Sequence, residues 1–404
     1  MAEKMNIPFS PPDITEEEIA EVADALRSGW ITTGPRVKEL ERQLAAYLEV
    51  PRCVCLNSQT ACAEMALRVL GVGPGDEVIV PAYTYTASAS VICHVGATPV
   101  MVDCAPDSFE MDYDAMGRAI TARTKAVIPV DLGGVPCDYD RIFAVLEEKR
   151  SLFNPASPIQ EALGRVAVCE DAAHALGSTY HGRMIGSVAD FTSFSFHAVK
   201  NFTTAEGGCL TWNLPSEVLD DEVYKKVQLL SLHGQSKDAL AKTKLGAWEY
   251  DVLGPWYKCN MTDIQAALGL VQLKRYKGLL ERRRELIGLY DDVLEPLGIE
   301  SLPHYGDGHA SSGHLYICRV PGVLLEERNA IIEKMAERGI ATNVHYKPLP
   351  LLTAYKDLGF DIGDHPNAYE RFANEITLPL HTKLTDDEAR YVVAMFAEIV
   401  EGVR

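Results

Sequence analysis

Val166-Ala167-Val168-Cys169-Glu170-Asp171-Ala172-Ala173-His174 is the stretch that decides the fold. Four apolar residues end abruptly at two carboxylates. A strand wetted on one face alternates apolar and polar residues, whereas an uninterrupted apolar run belongs to a strand covered on both faces. The same texture recurs at residues 53–56, 77–80, 98–102, 126–129, 191–196 and 208–212, with helical stretches such as 60–70 and 138–149 between. Such alternation predicts an α/β protein, with a large three-layer domain built on a mostly parallel central sheet.

Outward from this core, Thr15-Glu16-Glu17-Glu18 reads as a capping box opening a helix to about residue 28. Residues 151–164, with Pro155 and Pro158, show no clear period and predict a surface insertion. Residues 235–256 predict a second long loop. Thr262 opens a long helix over 263–294. The texture then becomes α+β: a strand at 315–320, a helix at 325–338, a strand at 342–345, and a last helix capped by Thr385. The expected division is a large domain over 1–275, including an N-terminal arm, and a smaller C-terminal domain over 276–404.

The 404 residues carry a formal net charge of −19, with 47% hydrophobic and 24% charged residues, so disorder is excluded. The acid excess argues against a nucleic-acid partner. No apolar run reaches the ~18 residues of a membrane span. The start, Met1-Ala2-Glu3-Lys4-Met5-Asn6, lacks a basic-then-apolar export pattern, so no membrane partner and a cytoplasmic location are expected. The ten cysteines sit in apolar stretches as buried thiols. Cys53-x-Cys55 is no zinc spacing, and no metal site is expected.

Gly71-Val72-Gly73-Pro74-Gly75-Asp76 precedes a strand instead of following one, which argues against a dinucleotide loop. Asn57-Ser58-Gln59-Thr60-Ala61 follows a strand and opens a helix. It offers hydroxyls and free amides to a phosphate, and is equally a plain helix cap. Asp171 ends its strand at the ligand-binding edge of a parallel sheet; it too has an ordinary capping reading. Lys200 ends Ser195-Phe196-His197-Ala198-Val199-Lys200, just past an aromatic strand. Desolvation at such a place lowers a lysine's pKa and makes it a nucleophile; the ordinary alternative is a surface lysine that snorkels to solvent. A phosphate site, an acidic partner and an amine, in that order on a parallel sheet, are the parts pyridoxal phosphate needs.

The sequence resembles the sugar-nucleotide aminotransferases, pyridoxal-phosphate enzymes of fold type I (DegT-type, aspartate-aminotransferase-like), over essentially the whole chain. The motifs that carry it are Trp30-Ile31-Thr32-Thr33-Gly34-Pro35, Asn57–Ala61, Gly75-Asp76-Glu77-Val78, Pro81-Ala82-Tyr83-Thr84-Tyr85, Glu170–Ala175, Ser195–Asn201, Asn260-Met261-Thr262-Asp263-Ile264-Gln265-Ala266-Ala267 and His345-Tyr346-Lys347-Pro348. The resemblance implies that Lys200 binds the cofactor and shuttles the proton. Asp171 pairs with the pyridine nitrogen, Tyr85 stacks on the ring, and His174 supports ring or substrate. Ser58, Thr60, Ala61 and Ser195 hold the phosphate, with Asn260 supplied by the second subunit of a homodimer with shared active sites. Thr32, Thr33, His345 and Tyr346 line the sugar side. Four of these have ordinary alternatives: a half-buried tyrosine for Tyr85, a satisfied core histidine for His174, and interdomain packing for His345 and Tyr346.

The implied reaction moves an amino group from L-glutamate to a nucleotide-linked keto sugar, a 4-keto-6-deoxyhexose or 4-keto pentose, for surface polysaccharide. A 3-keto sugar, an aminocyclitol ketone and a non-catalytic regulatory protein on the same fold stay open. A dehydrating branch of the family carries histidine in place of the lysine; Lys200 favours transamination. Trp256, Cys259 and the 151–164 insertion depart from the family pattern, at what the resemblance places near the substrate mouth or dimer contact.

Overall fold

The structure, a computed structural model, describes residues 5–236 and 249–403. Its central sheet has seven strands: β1 (Cys53–Leu56), β2 (Glu77–Pro81), β3 (Thr98–Val102), β4 (Thr124–Val127), β5 (Ala167–Asp171), β6 (Phe191–Ser195) and β7 (Gly208–Trp212). The order is β1-β7-β6-β5-β4-β2-β3. The block from β3 to β6 is parallel, and β7 runs antiparallel to both β1 and β6.

Successive residues of one strand enter opposite cores, which is why both must be apolar. Cys53 and Cys55 pack with Ile79, Val127 and Val168; Val54 and Leu56 pack with Val78, Val80, Ala126 and Ala167. The first core is roofed by α2 (Pro35–Tyr47) and α5 (Tyr139–Glu148), the second by α3 (Gln59–Leu70) and α4 (Thr86–His94). The expected capping box is present on α1 (Glu16–Arg27), where Thr15 and Glu18 exchange bonds. Among the described cysteines, eight are buried, Cys93 is exposed and Cys259 lies between.

A 32-residue helix, α6 (Asp263–Leu294), joins the two parts of the chain. Its Ala266, Leu270, Tyr276 and Leu279 belong to the first core. Its Leu286, Ile287, Tyr290 and Leu294 belong to a third core, with β8 (Tyr316–Arg319), α7 (Leu325–Glu337), β9 (Glu375–Leu378) and α8 (Asp386–Glu401). The expected boundary near residue 275 therefore falls inside one continuous helix. The N-terminal arm, expected with the large domain, is stitched to the small one. Ile7 N–H donates to Gly339 O at 2.8 Å, Ala341 N–H donates to Ile7 O at 3.0 Å, and Ile7 is buried in the third core.

Four local expectations are corrected. The strand read at 126–129 starts at Thr124, because the polar side chains there have partners: Thr124 Oγ1 accepts from Thr121 N–H and the Lys125 ammonium reaches Asn154 O. Residues 342–345 form no strand; Asn343 makes one bridge to Thr377. β9 and the helix Pro366–Asn374 went unread. The 151–164 insertion is ordered against the core. Ser157 caps the helix Pro158–Leu163, and Ser157 Oγ and Gln160 Nε2 both donate to Leu70 O, at 2.7 and 2.8 Å. It thereby satisfies the C-terminal end of α3, remote from the N-terminal end that meets the site. Of the loop read at 235–256, residues 237–248 lie outside the described residues; its flanks pair at Gln235 and Val252.

Candidate active site

The carboxyl ends of β1, β5 and β6 open on one cavity of about 410 Å³. At one side stands the N-terminus of α3, presented by Ser58, Gln59 and Thr60. Ser58 is the cap, its Oγ accepting from Ala61 N–H at 3.1 Å. The remaining first-turn amides and the positive helix end suit an anion. Gly208 makes this approach possible: a Cβ there would lie 2.6 Å from the Gln59 nitrogen. At Gly207 a Cβ would lie 2.2 Å from Thr204 Oγ1.

Asp171 closes β5 as expected, but it caps no helix. Its Oδ2 accepts from Ser88 Oγ at 2.6 Å and its Oδ1 from Ala173 N–H at 3.1 Å. Burial pushes its carboxyl up, while those bonds and the Lys200 charge hold it down. Lys200 lies in the turn after β6, with its N–H donating to His197 O at 2.9 Å. Burial lowers its ammonium to about 8, against the opposing pull of Asp171. Neither group makes an ion pair among the described residues. Ser195, the last residue of β6, lines the cavity beside them.

The facing wall is neutral. His174 Nδ1 accepts from Gly133 N–H at 3.1 Å, so its proton sits on Nε2, which donates to Tyr346 Oη at 3.1 Å. Burial and the Lys200 charge hold this imidazole well below its usual range. Tyr346 is pushed well above the phenol range by burial. The Tyr346 ring lies 5.6 Å from that of Tyr85, which is 58% exposed at the rim. His345 stacks on Phe9 at 5.6 Å and bonds Thr377 Oγ1 at 2.9 Å; burial lowers it to about 3. His314 and Ser88 escaped sequence reading. Neither sits at an abrupt end of an apolar strand, the signal that marked Asp171.

Ser58, Thr60, Tyr85, Asp171, His174, Ser195, Lys200, His345 and Tyr346 are thus brought together around one cavity. Ala61 lies behind the helix cap with its amide used by Ser58. Thr32, Thr33 and Asn260 form a separate group outside the cavity. Thr33 Oγ1 accepts from the Asn260 amide and donates to Met261 O at 2.6 Å, and Thr32 O accepts from Asp263 N–H at 3.0 Å. Trp256 and Cys259 pack against the second core, with the Lys226 ammonium 4.4 Å from the Trp256 ring. Neither they nor residues 151–164 line this cavity.

The residues present fit pyridoxal phosphate. A buried carboxylate with no ion-pair partner among the described residues suits a protonated pyridine nitrogen, an amine near 8 suits an aldehyde, and a helix N-terminus with free first-turn amides suits a phosphate.

The DegT/DnrJ/EryC1/StrS aminotransferase family matches residues 12–397. A Streptococcus pneumoniae protein described as a sugar aminotransferase, Spr1654, solved in its PLP form, has a TM-score of 0.96 and 61% identity over 99% of this chain and 100% of that one. Its PMP form gives a TM-score of 0.96 and 63% identity over the same shares of the two chains. The spore coat polysaccharide biosynthesis protein SpsC of Bacillus subtilis is 40% identical over 410 residues, covering 100% of both chains. Helicobacter pylori PseC, an aminotransferase involved in the biosynthesis of pseudoaminic acid, gives a TM-score of 0.86 and 27% identity over 98% of this chain and 100% of its own.

Proposed function

The chain belongs to the DegT/DnrJ/EryC1/StrS aminotransferase family and is a pyridoxal-phosphate-dependent aminotransferase of fold type I; from that premise we propose that it transfers an amino group from L-glutamate to a nucleotide-linked keto sugar. The acceptor in this reading is a 4-keto-6-deoxyhexose or 4-keto pentose; the enzyme works in the cytoplasm and its product feeds a surface polysaccharide. The printed name of the Bacillus subtilis relative and the sugar-aminotransferase descriptions of the solved structures support it. Among the described residues, no helix is long and apolar enough to cross a membrane.

The observation that carries the reading is the division of one cavity between Lys200 and Asp171 on one side and neutral hydrogen-bonding rings on the other. When bound, pyridoxal phosphate supplies the electron sink for breaking the C–H bond of the amino donor. Lys200, lowered to about 8, would hold the cofactor's aldehyde through its free amine, and its Nζ would be the group that takes up and returns the proton. Asp171, oriented by Ser88 and Ala173, keeps the pyridine nitrogen protonated. Ser58, Thr60 and Ser195, which line the cavity, would hold the phosphate, and Tyr85 at the rim would lie against the ring.

Thr32, Thr33 and Asn260 serve, in this reading, the cavity of a second subunit, so that a homodimer completes two shared sites. Dissociation to monomer with full activity would overturn that part. The test of the whole is an optical titration of the purified protein. Glutamate should bleach the yellow band of the loaded enzyme, and after desalting one keto-sugar nucleotide should restore it. Bleaching that no keto-sugar nucleotide reverses would overturn the acceptor.

A further inference from the structure

The two buried histidines beside Lys200 hold opposite tautomers. Their rings are 4.5 Å apart. His174 takes an N–H at Nδ1 and so carries its proton on Nε2. His314 is set the other way by a chain of one-way bonds. Ser312 O is a carbonyl and only accepts, so Asn201 turns its Nδ2 toward it, at 2.8 Å. The Asn201 Oδ1 then faces His314 Nδ1 at 2.9 Å, and that nitrogen must carry the proton. Nε2 is left with a bare lone pair. His314 lines the cavity, and no group among the described residues bonds that atom. Arg283 fixes the backbone that bears it: the buried Nη1 donates to Gly313 O, His314 O and Leu380 O at 3.1, 3.2 and 3.0 Å.

The result is a matched pair in one neutral wall. Tyr346 Oη accepts from His174 and so has its own proton to give. His314 Nε2 has a lone pair to receive one. We propose that His314 is a substrate-binding residue whose Nε2 accepts a hydrogen bond from a hydroxyl of the sugar substrate, in a tautomer set by Asn201, with Tyr346 donating alongside. This rests on the keto-sugar reading above. A preset acceptor discriminates more sharply than an adaptable one, because a ligand without the hydroxyl leaves the lone pair buried and unpaired. Burial and the neighbouring His174, Lys200, Arg283 and His345 all oppose a charge on this ring, so it stays an acceptor across the working range.

Two measurements on the cofactor-loaded enzyme test this. Nitrogen-15 NMR of histidine-labelled protein should show His314, identified by its loss in His314→Leu, as neutral and protonated on Nδ1. A proton on Nε2, or an imidazolium at neutral pH, overturns the acceptor. In steady state, His314→Leu should raise KM for the keto-sugar nucleotide by about five- to tenfold, the worth of one hydrogen bond. The KM for glutamate should hold. His314→Gln, which returns a carbonyl acceptor, should recover part of the loss. A rise in both KM values together would place His314 with Lys200 or the cofactor and overturn the sugar contact; so would an unmoved sugar KM. A parent enzyme inactive on every keto-sugar nucleotide overturns the substrate reading, while the NMR result alone decides whether the acceptor exists.

Discussion

The cavity has two walls made by different means. One is the carboxyl edge of the central sheet, where Ser58, Asp171, Ser195 and Lys200 stand at or just past strand ends. The other is built from irregular chain of the C-terminal half, where His314, His345 and Tyr346 are held by single bonds to Asn201, Thr377 and His174. The sheet wall carries ionisable groups with burial and charge set against each other. The loop wall carries groups that burial keeps neutral. The ionisable groups thus stand at the ends of sheet strands, and the neutral ones on irregular chain tied down by side-chain bonds such as those of Arg283 and Glu375.

The sharpest break of this comparison is Lys200→Ala, which should abolish turnover, because no other amine lines the cavity among the described residues. Residual turnover above background would show that the sheet wall is not the chemical one. Asp171→Asn should follow. It should keep the cofactor, by absorbance, while slowing the donor half-reaction about a hundredfold or more, the usual cost of losing one preorganised electrostatic partner. A near-normal rate would mean that another carboxylate serves.

The third effect is graded by pH. Lys200 is held at about 8, below the ordinary lysine value of 10.5, and only its neutral amine attacks an aldehyde. Capture of pyridoxal phosphate by cofactor-free protein should therefore speed up as pH rises and level off above about 8. Below that point it should fall about tenfold per pH unit. A plateau reached only above pH 10 would show that the sheet wall does not depress the amine. The smallest effect belongs to the loop wall: Tyr346→Phe should raise the sugar KM about fivefold, one neutral hydrogen bond's worth, with kcat little moved. A collapse of kcat would move Tyr346 to the chemical side.

The two walls also differed in legibility. Ser58, Asp171 and Lys200 could be read because an apolar run stopping at a polar residue marks the end of a covered strand. The lysine's low pKa followed from the same burial. His314 could not, since Ser311-Ser312-Gly313-His314 reads as loop, and its place depends on Arg283 in α6 and on Asn201. The strand expected at 342–345 failed for a related reason. Its residues are carried by one bridge and by side-chain bonds to Glu375 and Thr377, which no local pattern announces. The helix through residue 275 shows no break, because its two halves serve different cores.

The N-terminal arm has a consequence in the time domain of synthesis. Pro8 O receives a hydrogen bond from His381 Nε2, 373 residues further along the chain. Phe9 and Ser10 line the cavity, Phe9 stacked on His345 and Ser10 Oγ donating to Val199 O at 3.2 Å. At about 5–20 residues per second a ribosome spends on the order of half a minute between making the arm and making what it binds. The seven-stranded sheet, complete by Trp212, has its partners much earlier. Lys200 is thus synthesised before the α6 residues that complete the first core, and before His314, His345 and Tyr346 of the wall that faces it.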